Sequence, residues 1–415
     1  MKRVGEPPEG LGLAPVSEDE VVVEVAPVKE PTTSREWVLR NLFPTPLSGL
    51  LTVLTATLVG YLGYRFVRWV LVTADWQVIR TNLRVYMVGR FPIDQLWRVW
   101  ASGYVVILLA GLSWGVSELR LTWTPRRAAV RFVLAGLFVG ALVYLLDGAR
   151  IWLLIGSAVL VYATGVAAGR RGGGPLRVPL GVGWALAFPA VILLLRAFGG
   201  VPPRLWGGFL LNMLVAVVGI FLSFPIGVLL ALGRRGSLPA IRLFCVGVIE
   251  LVRGVPLVTL IIAGQFILPL MLPPGLTLVT IVRMMLVFTL FSAAYVAEIV
   301  RGGLQGVPAG QYEAARSLGL SAPRMMALII LPQALRSTIP AMISHFISLF
   351  KDTSLLAALA ITELLQAGRQ ASAQLDFIGK QKEALLAAAL IFWVVAFSMS
   401  RWSQRLERRL GVGER

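Results

Sequence analysis

About ten apolar stretches dominate this chain, most of them longer than the ~18 residues that mark a membrane helix. The first five run over roughly 47–72, 101–117, 128–146, 151–168 and 178–198; the second five over 207–232, 243–268, 276–300, 331–355 and 383–400. The chain is 57% hydrophobic and only 14% charged, with a mean hydropathy of +0.79. No soluble domain of 415 residues has a core large enough to hide that much apolar surface. The pattern therefore specifies an all-α polytopic membrane protein of about eight to ten transmembrane helices. The lower number applies if the short turn at 147–150 joins two re-entrant segments. Pro179 and Pro189 are expected to kink the fifth stretch, and Pro340 and Lys351 to make the ninth irregular.

A formal charge of +18 could point to nucleic acid, but the arginines flank the apolar stretches, as cytosolic positive charge does in membrane proteins. A cytosolic N-terminus puts Arg126 and Arg127, Arg170, Arg171 and Arg177, Arg234 and Arg235, and the tail from Arg401 to Arg409 on the inner side. Residues 75–98 are the exception. They fall outside despite Arg80, Arg84, Arg90 and Arg98, and their aromatic residues predict an amphipathic segment along the interface. Residues 1–46 are Pro-rich and polar, with acidic groups outnumbering basic ones in the first 34, which predicts a disordered cytosolic tail. No short apolar run with a cleavage site opens the chain, so no signal peptide is expected. Cys245 and His345 are the only residues of their kinds, which excludes an internal disulfide and the usual zinc site.

The stretch Glu313–Pro332, EAARSLGLSAPRMMALIILP, lies between two apolar spans and reads as a helix–turn–helix. Pro308 can start the first helix without losing an interior hydrogen bond, and Gly319 falls where a helix end needs a left-handed residue. Ser321 can cap a second helix that Pro332 interrupts. Ala314 and Ala315 suggest a flat face that another protein's groove could approach, edged by Glu313 and Arg316.

The spacing of Glu313, Ala314, Ala315, Gly319, Ile329, Leu331 and Pro332 resembles the cytoplasmic loop by which membrane subunits of binding-protein-dependent ABC importers dock on their ATPase. Residues 207–365 resemble the amino-acid branch of these permeases. The shared signatures begin at Glu250-Leu-Val-Arg253-Gly, Ser292-Ala-Ala-Tyr-Val-Ala-Glu298-Ile-Val-Arg301 and Phe350-Lys351-Asp352-Thr353-Ser354-Leu. The segment from Gly89 to Arg98 resembles the enlarged general L-amino acid permeases, which carry extra N-terminal spans. The resemblance implies a type I ABC importer transmembrane domain at 201–415 with a docking loop at 301–333, after a tail at 1–46 and an accessory region at 47–200. It implies a multi-pass permease of the bacterial inner membrane with both termini cytosolic, importing polar L-amino acids such as glutamate, glutamine, aspartate and asparagine. Its partners would be ABC ATPase subunits, a second and different permease subunit, and an extracytoplasmic amino-acid-binding protein. The chain would bind no cofactor, Mg-ATP being held by the partner ATPase. The docking residues carried over are Glu313, Ala314, Ala315, Arg316, Gly319 and Leu320. Two departures stand out: Asn212 where the family usually has Thr, and Ser344-His345-Phe346 where it has an Asn-Gln-Phe-like triplet.

Polar groups at membrane depth usually face a bundle interior or a water-filled path. Lys351, Asp352, Thr353 and Ser354 are therefore candidates for the substrate path, with His345 and Asn212. An amino acid carries both an ammonium and a carboxylate, which opposite charges suit; a purely structural ion pair is the alternative. Glu298 with Arg301, and Glu250 with Arg253, have the spacing of pairs across one helical turn. The chain has no P-loop motif and no nucleophile elbow, so no catalytic residue is assigned. An ion-gradient-driven secondary transporter would account for the spans and buried charges, though not for the docking loop.

Overall fold

The computed structural model describes residues 33–116 and 149–410. The expected span at 128–146 and most of the acidic tail, residues 1–32, lie outside them. The chain divides at Ala74 into two units. In the first, α1 (Ser34–Leu42) is closed by a capping box between Thr33 and Glu36. The expected disorder of residues 1–46 thus does not extend to this helix. The sequence reading missed the Thr-x-x-Glu signal. After Thr45, α2 (Pro46–Arg68) begins on a proline and runs on through a π turn at Trp69–Thr73. Among the described residues of this unit, none of α2 is buried.

The second unit holds α3 (Gln77–Val88), α4 (Leu96–Val116), α5 (Ala149–Gly172) and α6 (Arg177–Arg196). They are followed by α7 (Gly208–Arg235), α8 (Pro239–Gly254), α9 (Leu257–Phe266) and α10 (Thr280–Gln305). The last are α11 (Ala309–Ser317), α12 (Ala322–Met325), α13 (Leu331–Asp352), α14 (Leu364–Ser372) and α15 (Gln381–Leu410). Among the described residues there are eight helices long and apolar enough to cross a membrane, or nine if α8 and α9 form one broken span. That pair is where the expected continuous span 243–268 fails. Val255 must leave helical geometry before Pro256, and the chain turns by 105°.

α7 and α10 form the longest seam, and α10 is the most enclosed span, so the core lies along it. With the side expected to be cytosolic called inner, Val215, Val218, Met284, Phe288 and Leu349 fill its outer half; Ile249, Val296, Val300, Leu304 and Ala334 fill the inner half. α4 and α5 meet differently. A Cβ on Gly111 or Gly115 would lie 2.5 or 2.3 Å from a carbonyl oxygen of α5, and one on Gly165 or Gly169 would lie 2.8 or 2.4 Å from one of α4. Small residues let these backbones touch, which favours association where lipid removes the hydrophobic drive.

Two arginines, Arg98 and Arg283, serve as helix caps. Arg98, nearly buried, donates to the carbonyls of Leu194, Ala197 and Phe198 at the end of α6 at 2.8–3.0 Å. Arg283 donates to Gln265 O at 2.7 Å near the end of α9. Within residues 75–98, expected along the membrane interface, α3 packs its apolar face into the protein and leaves its polar face exposed. Val78 and Tyr86 join Leu364, Phe377 and Ala384 in a third apolar cluster, and burial pushes the Tyr86 hydroxyl pKa up.

Candidate functional site: docking helix and polar core

At the inner end, α11 starts after Pro308 and ends at Gly319, whose φ of +72° is the left-handed geometry the sequence predicted. Arg235 of α7 lies 3.3 Å from the Tyr312 hydroxyl, which itself donates to Leu304 O, so α11 is tied to α7 and α10. Glu313, Ala314, Arg316 and Gly319 are exposed, and Leu320 is half-buried. Ala315 is fully buried against the core, so the two alanines do not form one open face. Adjacent helical residues point about 100° apart, and only one of them can face outward. Leu318, 76% exposed, completes the outer surface. The sequence reading passed over it, although a leucine beside a left-handed glycine was the available signal.

The second helix of the loop is not a separate element. Ser321 stands at its N-cap but makes no side-chain cap bond. α12 runs through a π turn at Met326–Ile330 into α13, giving one helical path over Ala322–Leu359. Pro332 therefore does not end a helix. The wider turn makes room for its ring against the carbonyl four residues earlier.

On α10, Glu298 gathers three arginines. Arg301 pairs with it as expected, with Nε at 2.8 Å; Arg234 of α7 and Arg253 of α8 reach its other oxygen at 3.5 and 3.6 Å. Glu250 does not pair with Arg253. It accepts from Arg234 at 3.0 Å. The sequence spacing suggested two local pairs, but the fold makes one hub across three helices.

Deeper in, Ser292 of α10 donates to Ser223 of α7 at 2.8 Å and lies 3.0 Å from Nε2 of His345 on α13. The His345 ring stacks on Tyr295 with centroids 5.4 Å apart. His345 thus joins three spans. Lys351 is exposed on a groove of about 320 Å³ between α13 and α15, lined with Ser344, Ser348, Trp393 and Phe397. Asp352 and Ser354 are half-buried, and no ion pair links Lys351 to Asp352. After Asp352 the helix tightens into a 3₁₀ segment, Thr353–Leu359.

Unlike Lys351, Asn212 near the start of α7 and Thr353 at the start of this 3₁₀ segment are fully buried. The Asn212 amide donates to Thr353 Oγ1 at 2.9 Å and to Glu363 Oε2 at 3.0 Å, and its oxygen accepts Leu364 N–H at 3.0 Å. Glu363 also accepts Gln366 N–H at 2.7 Å, capping α14. Burial drives the Glu363 carboxyl above its usual range, though these hydrogen bonds and Arg369 oppose the shift. The sequence reading did not single out Glu363, and only its contact with Asn212 reveals it. A threonine hydroxyl at position 212 could not bridge all three partners, which gives this departure from the family pattern a structural role. Among the described residues, no cluster of His, Cys, Asp and Glu could hold a metal ion.

Residues 223–412 match the model of the binding-protein-dependent transport system inner membrane component. The chain is 34% identical to the glutamate/glutamine/aspartate/asparagine transport system permease protein BztC of Rhodobacter capsulatus, with 90% of this chain and 93% of that protein covered. It is 33% identical to the inner membrane amino-acid ABC transporter permease protein YhdY of Escherichia coli, over 91% and 93%. It is 36% identical to the probable glutamine ABC transporter permease protein GlnP of Bacillus subtilis, over 49% of this chain and 93% of that one. These matches do not favour an ion-gradient-driven transporter. The chain belongs to the amino-acid ABC transporter permeases and is the multi-span inner-membrane permease subunit of an ABC amino-acid importer.

Proposed function

We propose that this permease imports polar L-amino acids of the glutamate, glutamine, aspartate and asparagine class, the substrates in the name of the relative matched along most of the chain. Lys351 carries the reading. An ammonium within a candidate membrane span, open on a serine- and aromatic-lined groove and without an ion pair among the described residues, is poorly placed against lipid. It suits a substrate carboxylate on a path completed by a second permease subunit, a different chain. Asp352 and Ser354 follow Lys351 closely in the chain and are assigned to the same path, as is His345, whose ring faces α10. Asn212 and Thr353 hold its outer end in the conformation described here.

The docking helix α11 receives the partner ATPase through Glu313, Ala314, Arg316, Leu318 and Gly319, with Ala315 anchoring the helix to the core. Mg-ATP is held by that ATPase, and this chain binds no cofactor. An extracytoplasmic binding protein delivers substrate at the opposite face, and both termini are cytosolic. Closure of the ATPase pair moves α11, and the continuous path from α12 into α13 carries that movement toward Lys351. A partner shifts the equilibrium only by its differential affinity for the two states, and α11 supplies the contact that differs.

Uptake by the reconstituted complex across a panel of amino acids tests the reading. Lys351→Met and Asp352→Asn should lower uptake and change the ranking among acidic, amide and neutral substrates. Assembled variants that rank substrates as the parent does would remove both residues from the path.

A further inference from the structure

Apart from Arg98 and Arg283, which cap helices, exposed arginines remain at the outer end: Arg196 and Arg204 singly, and Arg80, Arg84 and Arg90 as a group. Arg80 and Arg84 lie one turn apart on α3, and Arg90 follows its end. All three are exposed, and none makes an ion pair among the described residues. Their position is defined by α7. At its N-terminal end, Gly208 approaches Tyr86 and Val85 so closely that a Cβ there would lie 2.5 Å from a carbonyl oxygen. At its C-terminal end, Arg235 contacts Tyr312 of the docking helix. The intervening 28 residues span about 40 Å at ~1.5 Å per residue, so α3 and α11 lie at opposite ends of the bundle.

α3 is also rigidly held. Tyr86 donates to Ala384 O at 2.9 Å, Asn82 and Gln374 exchange amide hydrogen bonds, and Lys380 pairs with Asp75 at 3.5 Å. Its apolar face is therefore occupied by the protein. The exposed face offers Gln77, Arg80, Thr81 and Arg84, with Met87 as its one large apolar side chain. Such a face has little to insert among acyl chains, unlike an amphipathic helix lying on a bilayer. Uncompensated cations on a fixed platform instead suit a soluble anionic protein surface, whose encounter they would steer.

We propose that the Arg80–Arg84–Arg90 face of α3 docks an acidic surface of the extracytoplasmic binding protein. This rests on the reading that such a protein delivers the substrate. It places part of the docking surface on a segment that precedes the region matched by the family model.

The test uses the complete transporter in proteoliposomes, with the binding protein that supports uptake by the unaltered complex. Arg80→Glu with Arg84→Glu should raise the binding-protein concentration giving half-maximal uptake at least tenfold, leave the maximal rate unchanged and weaken the dependence on salt. Arg80→Gln with Arg84→Gln should shift it by a smaller factor in the same direction, covering the case in which the glutamate variant does not assemble. An unchanged half-maximal concentration in an assembled variant overturns the proposal but leaves the transport reading intact. A shift seen only in vesicles rich in anionic lipid also overturns it, in favour of a headgroup site. Failure of any binding protein to stimulate the unaltered complex removes the underlying reading and this inference with it.

Discussion

The two ends of the permease core are closed by different chemistry. At the outer end, Asn212, Thr353 and Glu363 are fully buried and bonded to one another and to the backbone of α14. At the inner end, Glu298 draws in three arginines whose side chains are 25–33% exposed. A buried polar group left unpaired costs about 1–3 kcal/mol, and more when it is charged. Partly exposed ion pairs contribute about 0–1 kcal/mol each and can exchange partners through water. The outer closure therefore resists piecemeal opening, whereas the inner one can rearrange at low cost beside α11, the helix proposed to dock the ATPase. This contrast accommodates a mobile inner end below a firmly latched outer one.

The sharpest way to break the comparison is Asn212→Ala. It leaves Leu364 N–H and Glu363 Oε2 without their partners and should cost roughly 3 kcal/mol, read as a marked drop in thermal unfolding temperature in detergent. An unchanged midpoint would show that the outer closure is not a latch. Next is Gly319→Val at the inner end. A β-branched residue at φ +72° costs about 1–2 kcal/mol, so uptake should fall roughly tenfold while membrane insertion stays normal. Wild-type uptake by a well-inserted variant would separate this turn from coupling.

Glu298→Gln should cost only about 1 kcal/mol, and the loss should shrink as salt is raised, because the lost interactions are screened. A large, salt-independent loss would place this hub in the same class as the outer closure. The smallest effect is a slope. Burial raises the Glu363 carboxyl, so between its unfolded and folded values the folded state holds a proton that the unfolded chain has released. Stability should therefore fall as pH rises from about 4.3, the ordinary glutamate value, through that window, and Glu363→Gln should remove this component. Parallel pH profiles for the two proteins would show that Glu363 does not titrate as described.

Much of this protein is set by local sequence. Apolar runs long enough to span a bilayer determine helices whatever their neighbours, because a lipid solvent leaves the backbone no other way to satisfy its hydrogen bonds. The turn after α11 was readable for a similar reason, since Pro308 fixes its own φ and Gly319 tolerates the positive φ of +72° that other residues avoid. The break at Val255–Pro256 was equally local, although the apolar run concealed it. Tertiary structure decided the rest. Whether Arg253 meets Glu250 or Glu298, whether Asn212 reaches Glu363, and whether α3 rests on lipid or on α14 and α15 depend on groups far apart in the chain. Hydrogen bonds and ion pairs act over a few ångströms of space, and residue spacing specifies such distances only within one helix.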